Sequence, residues 1–299
     1  GRSRTHDGIV PAKMPMAFSR YYPSAPGPAI QHGMIVTRFA PSPSGYLHTG
    51  HAFAALFAER AAREADGRFL LRIEDIDRTR ARPEFLDAIL EDLRWLGLAW
   101  EMPVRVQSEH FGDFAAALAR LDAMDVLYPC FCTRRDIAEE IARSIAAPHG
   151  PDGPLYPGTC RRLARSEAAA RANAGEAHAL RLDMRAALAR IGGPLTFIEK
   201  GAGPAGENGE IAARPEMFGD VVLARKDTPA SYHLCVVHDD ALQGVTLVTR
   251  GNDLFLATHL HRLLQALLDL PVPEYRHHAL VTDEAGRRLA KRDRARTLR

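Results

Sequence analysis

His48 and His51 stand three residues apart directly after the stiff run Pro-Ser-Pro-Ser-Gly (41–45), at the mouth of a long apolar-rich stretch. A strand-like run, "MIVTRFA" (34–40), precedes the turn. Strand, tight turn and helix start together make an anion site, because the first N–H groups of a helix lack partners within it and the helix dipole is positive there. Gly45 and Gly50 permit close backbone approach, and imidazoles at 48 and 51 can donate to phosphate oxygens whose charge grows during a displacement. Such catalysis is positioning plus preorganised electrostatics. Taken alone, two histidines at a helix start are more often surface residues or caps.

A second group with chemical character is Cys130, Cys132 and Cys160. Four cysteines in 299 residues do not form a disulfide framework, and a close pair without a secretion signal reads better as metal ligands. Three thiolates leave a structural tetrahedral zinc site one ligand short. Chemistry alone points first to His149, and buried unliganded thiols are the plain alternative. Cys235 lies in an apolar helical stretch and reads as core. A third feature is the basic block "RRLAKRDRARTLR" from Arg287 to Arg299, with seven basic residues and one acid. It reads as a solvated tail or as a phosphate-binding patch.

These groups need a scaffold. With 46% hydrophobic and 25% charged residues the chain has material for a substantial core, and a net charge of +2 creates no global field that demands nucleic acid. No apolar run approaches the length of a membrane span. Residues 1–33 lack the apolar segment of a signal peptide and read as a disordered or variable extension. After the strand at 34–40, apolar spacing at Phe53, Leu56, Phe57 and Ala61 predicts a helix ending at Gly67. "RFLLRIED" (68–75) reads as a second strand, Pro83 opens a helix that runs to Gly97, and another helix spans Ser108 to Val126. Composition then shifts. A segment from Cys130 to about Pro215, with a "PHGPDGP" loop and a Gly-rich tip "KGAGPAGENGE", reads as an insertion. Thr133 with Asp136 predicts a capping box for a helix through Ala146. "GDVVLARKD" (219–227) is expected to resume the sheet, followed by a helix near 231–241, a strand at 244–250 and a helix at 254–270. Two α/β halves around an insertion predict a nucleotide site at the carboxyl ends of parallel strands.

"RFAPSPSGYLHTGH" resembles the first signature of class I aminoacyl-tRNA synthetases in the form used by the glutamyl-tRNA synthetase family. "LLRIEDIDRTR" (70–80), "WLGLAW" (95–100), "QSEH" (107–110), "CFCT" (130–133), "YHLCVVHDDALQGVTLVTRGNDL" (232–254) and "RRLAKR" (287–292) resemble it too, in the family's order. The fold the resemblance implies is α/β, a class I synthetase Rossmann-type parallel sheet with a zinc-containing insertion. Its expected divisions are a first catalytic half at 34–128, the insertion at 129–215, a second catalytic half at 216–270 and a basic signature region at 271–299 with no anticodon-binding domain. The resemblance also implies ATP, with magnesium, as a substrate alongside L-glutamate. His48, Gly50, His51 and Lys291 fall on the ATP-handling positions, with His48, His51 and Lys291 in catalysis. Arg38, Phe39, Ala40, Pro41, Ser42, Glu74, Tyr232 and Arg250 fall around the amino acid, Glu74 meeting its ammonium. The bland readings are a surface acid paired with Arg72 or Arg78 for Glu74, and a strand-end salt bridge for Arg250. Arginine suits a carboxylate because it can donate two charge-assisted bonds at once. The second signature departs from the family pattern, with Arg288 for its first lysine and Ala290 for its serine, which puts the loop's hydrogen bonding in doubt. "YPGTC" (156–160) is similar to the family's zinc pattern, which implies Cys130, Cys132, Tyr156 and Cys160 as ligands of one structural zinc.

In length and zinc pattern the chain resembles the family's shortened glutamyl-Q branch. The resemblance implies a cytoplasmic, monomeric ligase that activates glutamate without tRNA and transfers it to queuosine in the anticodon loop of tRNA(Asp). The alternatives are a short glutamyl-tRNA synthetase that charges tRNA(Glu) and a non-catalytic tRNA-binding paralogue.

Overall fold

The computed structural model describes residues 33–143, 149–281 and 298, the side chains of 140–143 and 149 apart. Residues 1–32 and the second signature, with Arg288, Ala290 and Lys291, lie outside the described residues, as does the His149 side chain.

The amino-terminal half alternates as its periodicity predicts. Strand β1 (Val36–Phe39) leads through the Pro-Ser turn into helix α1 (Thr49–Arg63), and β2 (Arg68–Ile73) follows. Helix α1 turns Ala52, Ala55, Ala58, Ala61 and Ala62 inward, so it sits close on the sheet; of the apolar residues that predicted it Ala61 is buried, whereas Phe53 and Leu56 are exposed. Thr37 Oγ1 reaches the Ala58 carbonyl at 2.8 Å. Helix α2 (Pro83–Trp95) then carries the chain to β3 (Glu101–Val106). The sequence reading passes over β3, whose Pro103 demotes a run as a strand. Here β3 is an edge strand, where a missing N–H is tolerated. Strands β1, β2 and β3 pair in parallel.

Helix α3 (Phe111–Ala123) leads to β4 (Leu127–Cys130) and helix α4 (Arg134–Arg143). Thr133 and Asp136 make the reciprocal bonds expected of them, Thr133 N–H to Asp136 at 2.7 Å and Asp136 N–H to Thr133 Oγ1 at 3.2 Å. A short hairpin, β5 (His149–Gly150) and β6 (Gly153–Pro154), precedes α5 (Arg165–Asn173), β7 (Ala179–Leu182) and α6 (Met184–Ile191). Next come β8 (Thr196–Glu199), β9 (Gly209–Ala212) and β10 (Val222–Ala224). Two pairings differ from expectation. Strand β10 does not resume the parallel sheet; it lies antiparallel to β7, which pairs antiparallel with β4. The stretch read as a Gly-rich tip is the hairpin connection between β8 and β9, and β8 runs parallel to β12. In both cases the strand is three or four residues long, and so short an apolar run carries no record of its partner.

The carboxyl-terminal half supplies α7 (Tyr232–Leu242), β11 (Leu247–Gly251), α8 (Ala257–Leu267) and β12 (Glu274–His278). Strands β11 and β12 pair in parallel. Thr246 bridges to β1, donating its N–H to the Val36 carbonyl at 3.0 Å and accepting the Val36 N–H on Oγ1 at 2.8 Å. The order is therefore β3-β2-β1 beside β11-β12-β8-β9. Buried Phe39, Leu71, Ile89 and Leu93 fill one side of the first half, while Val36, Leu70, Phe197, Val248 and Tyr275 link the halves. No helix among the described residues is long and apolar enough to cross a membrane.

Gly67 closes the α1–β2 connection where a Cβ would overlap the Ile35 carbonyl oxygen, and a backbone atom cannot swing aside. Gly67→Ala should therefore cost about 1–3 kcal/mol through overpacking, read as a lower urea midpoint at unchanged slope. An unaltered midpoint would show that this approach is not tight.

Candidate active site and cysteine cluster

The carboxyl ends of β1, β2 and β11 and the start of α1 surround an open cleft of about 270 Å3. Of the residues singled out from sequence, Arg38, Phe39, Ala40, His48, Gly50, His51, Glu74, Tyr232 and Arg250 line it. Pro41 is buried and Ser42 exposed, and neither is part of its wall. Pro41 instead takes the Glu74 N–H on its carbonyl at 3.0 Å, which fixes the end of β2 against the turn.

The two histidines do more than face the cleft. His48 is the N-cap of α1: its Nδ1 accepts the Gly50 N–H at 3.1 Å, and His51 Nδ1 accepts the His48 N–H at 3.3 Å. The rings stack with centroids 3.7 Å apart. An Nδ1 that accepts carries no proton, so the N–H of each ring is on Nε2. The Gly50 N–H, expected to be open to phosphate, is taken by His48. Gly50 is needed in another way, since a Cβ there would stand 3.1 Å from the His48 ring. Capping and anion binding are thus combined: the cap residues themselves present ring donors at the positive end of the helix.

Below the cleft lies a buried ion network. Asp240 on α7 accepts from Arg38 Nε at 2.9 Å and from Arg72 Nη1 at 2.7 Å, and Arg72 also reaches Glu74 at 3.0 Å. Arg72 is 0% exposed and Arg38 5%. Burial works to raise the Asp240 carboxyl, but Arg38 and Arg72 hold it below its ordinary value. Glu74 is raised, because burial outweighs Arg72 and Arg38. The plain reading of Glu74 is right in its pairing with Arg72 and wrong in placing it at the surface: its side chain is 11% exposed, lies at the cleft and shares its arginine with Asp240. The neighbouring Asp239 faces the other way, accepting from Arg105 at 2.8 Å and Gln107 at 3.0 Å.

Arg250 is different. It is 6% exposed, and among the described residues no carboxylate pairs with it. Its partners are His277, His261 and Thr258, with the Tyr275 ring 5.4 Å from its guanidinium carbon. Sequence reasoning named Arg72 only as a partner of Glu74, and it missed Asp240, His261 and His277. Two adjacent acids inside the apolar stretch "CVVHDDAL" were the available signal for Asp240. It also missed His278, which lines the cleft; among the described residues its buried Nε2 has no hydrogen-bond partner.

A separate cluster forms where β4 ends. The Sγ atoms of Cys130, Cys132 and Cys160 all lie within 4.8 Å of one another. Tyr156 Oη is 3.4 Å from both Cys130 Sγ and Cys132 Sγ and accepts the Cys160 N–H at 2.9 Å. Arg181 stacks over the Tyr156 ring at 3.9 Å.

Removing Asp240 leaves buried Arg38 without a carboxylate and buried Arg72 with Glu74 alone. Asp240→Ala should lose about 3–5 kcal/mol of unfolding free energy at neutral pH. Because the folded carboxyl is depressed, the wild-type advantage is complete above the unfolded value near pH ~4 and shrinks as pH falls through the folded one. Denaturant melts of both proteins across that range check it, and a constant gap would contradict the assigned pairing.

Residues 34–298 match the family model described as tRNA synthetases class I (E and Q), catalytic domain. The chain is 52% identical over 269 residues to the glutamyl-Q tRNA(Asp) synthetase of Rhodobacter capsulatus, covering 88% of this chain and 93% of that protein. It is 38% identical over 278 residues to glutamate–tRNA ligase 2 of Nitrosococcus oceani, covering 89% of this chain and 55% of that one. The crystal structure of the glutamate-tRNA synthetase from Elizabethkingia anophelis superimposes with a TM-score of 0.72 at 25% identity over 87% of this chain. The chain spans about half the length of that structure, 53%.

Proposed function

The chain belongs to the class I glutamyl- and glutaminyl-tRNA synthetase family, and from that premise we propose that it is a ligase that activates L-glutamate with ATP and transfers it to queuosine in the anticodon loop of tRNA(Asp). The observation that carries the choice of acceptor is the match over 93% of a glutamyl-Q tRNA(Asp) synthetase at 52% identity. The glutamate–tRNA ligase is both less similar, at 38%, and covered over only 55% of its length.

In the first step an oxygen of the glutamate α-carboxylate attacks the α-phosphorus of ATP, and pyrophosphate leaves. Binding and orientation are the protein's contribution. Arg250, buried without a carboxylate of its own among the described residues, takes a carboxylate of the amino acid. Glu74, which shares Arg72 with Asp240, takes the ammonium, whose charge favours its ionised form. Arg38 shapes the wall with its charge already matched by Asp240, and the Tyr232 phenol, raised by burial, stays a hydroxyl. The Nε2–H groups of His48 and His51 meet the phosphates at the helix start, where ATP arrives with its magnesium. Lys291 is assigned to the phosphates by its place in the second signature.

The acceptor is tested by transfer of labelled glutamate to three tRNAs, each with its 3′-terminal adenosine removed: tRNA(Asp) with queuosine, tRNA(Asp) with guanosine there, and tRNA(Glu). Label should appear on the first alone. Charging of intact tRNA(Glu) at its 3′ end would make the chain a glutamyl-tRNA synthetase, and absence of glutamate-dependent ATP–pyrophosphate exchange would make it a binder.

The cysteine cluster fits one structural zinc. Four ligands at tetrahedral zinc stand about 3.8 Å apart for thiolates, and the 3.4 Å separations at Tyr156 and the three sulfurs within 4.8 Å have that scale. Cys130, Cys132, Cys160 and Tyr156 would hold the ion and tie the 129–215 stretch to the end of β4. Metal analysis should return about one zinc per chain, lost in Cys160→Ser together with stability of that stretch. Full retention in that variant, or in Tyr156→Phe, would remove the corresponding ligand from the set.

A further inference from the structure

Arg250 is the buried cation of the cleft without a carboxylate partner among the described residues, and its neighbours are arranged in two proton-ordered pairs. Arginine only donates, so His277 Nε2, 3.1 Å from Arg250 Nε, is an acceptor. The His277 proton is therefore on Nδ1, which donates to Glu199 Oε2 at 2.6 Å. Glu199 is itself held by the backbone N–H groups of His277 and Gly201, at 2.9 and 2.8 Å. On the other side His261 Nδ1 faces Arg250 Nη1 at 3.1 Å and must accept, which puts its proton on Nε2, directed at His233 Nδ1 at 3.1 Å. Thr258 Oγ1 takes a third guanidinium N–H.

We propose that Glu199–His277 and His233–His261 are positioning pairs that fix Arg250 as a fork for a carboxylate of the amino-acid substrate, holding the guanidinium through neutral acceptors so that its charge stays available. The contrast with Arg38 and Arg72 carries the inference. Those two are held by the carboxylates of Asp240 and Glu74, which fix them equally well but answer their charge. Each outer partner, Glu199 or His233, selects the tautomer that turns a lone pair toward Arg250. Burial lowers all three histidines, His233 to about 4, which keeps the rings neutral. The inference rests on the reading of this cleft as an amino-acid activation site.

The test compares lost and conserved acceptors. In His277→Gln the amide oxygen can replace Nε2, and in His261→Asn it can replace Nδ1; His277→Leu and His261→Leu offer neither. Two readouts are taken on the full chain, ATP–pyrophosphate exchange and calorimetric affinity for L-glutamate. Losing a bond to a charged group should raise the glutamate KM and Kd about tenfold or more in the leucine variants. The ATP KM should stay unchanged, and most of the loss should be recovered in His277→Gln and His261→Asn. Equal behaviour of the amide and leucine variants, or wild-type affinity in a folded leucine variant, overturns the proposal. Where a leucine variant does not fold, Glu199→Gln decides. Its amide can reverse the bond to Nδ1 and turn an N–H toward Arg250, so an unchanged glutamate affinity overturns the coupling. Wild type that binds glutamate without exchange refutes the catalytic reading while the affinity comparison still judges the positioning pairs; wild type that does neither refutes both.

Discussion

Asp240 is the point on which the site is built. One carboxylate, 6% exposed, joins an arginine from β1 to an arginine from β2 and anchors both to α7. The two strands come from the first half of the chain and the helix from the second, so the ion network crosses the division that the α/β alternation creates. Burying two guanidinium groups without a carboxylate is prohibitively costly. The halves can therefore close only in the arrangement that brings α7 under β1 and β2, and that arrangement opens the cleft above.

The same network sorts the arginines by what they can do. Arg38 and Arg72 are saturated and serve as walls and struts, whereas Arg250 keeps a charge that the protein does not answer with a carboxylate among the described residues. From the residue list alone all three are equivalent candidates for gripping a carboxylate. Distinguishing them requires knowing which acid lies against which arginine, across a separation of 202 residues for Arg38 and Asp240.

That difference explains what the sequence made legible. Helices α1 and α2 and strands β1 and β2 follow local apolar spacing, and Thr133 with Asp136 is a four-residue pattern, so each could be read in place. The His48–His51 pair was visible as chemistry at a helix start, but its capping bonds depend on ring orientation. Strand β3 was hidden by Pro103 and β8 and β9 by brevity, while β10 was read as a strand but with the wrong partner: nothing local states whether three or four residues join a neighbour or a strand far along the chain. Asp240 looked like one acid of an adjacent pair. Its role is non-local and therefore outside the reach of periodicity.

The path of β8 sets a limit on modularity. The stretch bearing the cysteines begins and ends near the sheet, as an exchangeable cassette would, yet before returning it lays Thr196–Glu199 along β12 and then β9 against β8. A recombination that swapped 129–215 whole would remove the outer strands of the nucleotide sheet together with Glu199, whose carboxylate binds the backbone and ring of His277. A cut at the Gly192–Gly193 link after α6 would not free a cassette either, because β7 is paired with β10 and Leu182, Met184 and Ala187 are buried against Leu260, Leu263 and Leu264 of α8. Neither boundary leaves the rest of the fold intact, so the stretch and the sheet are inherited together.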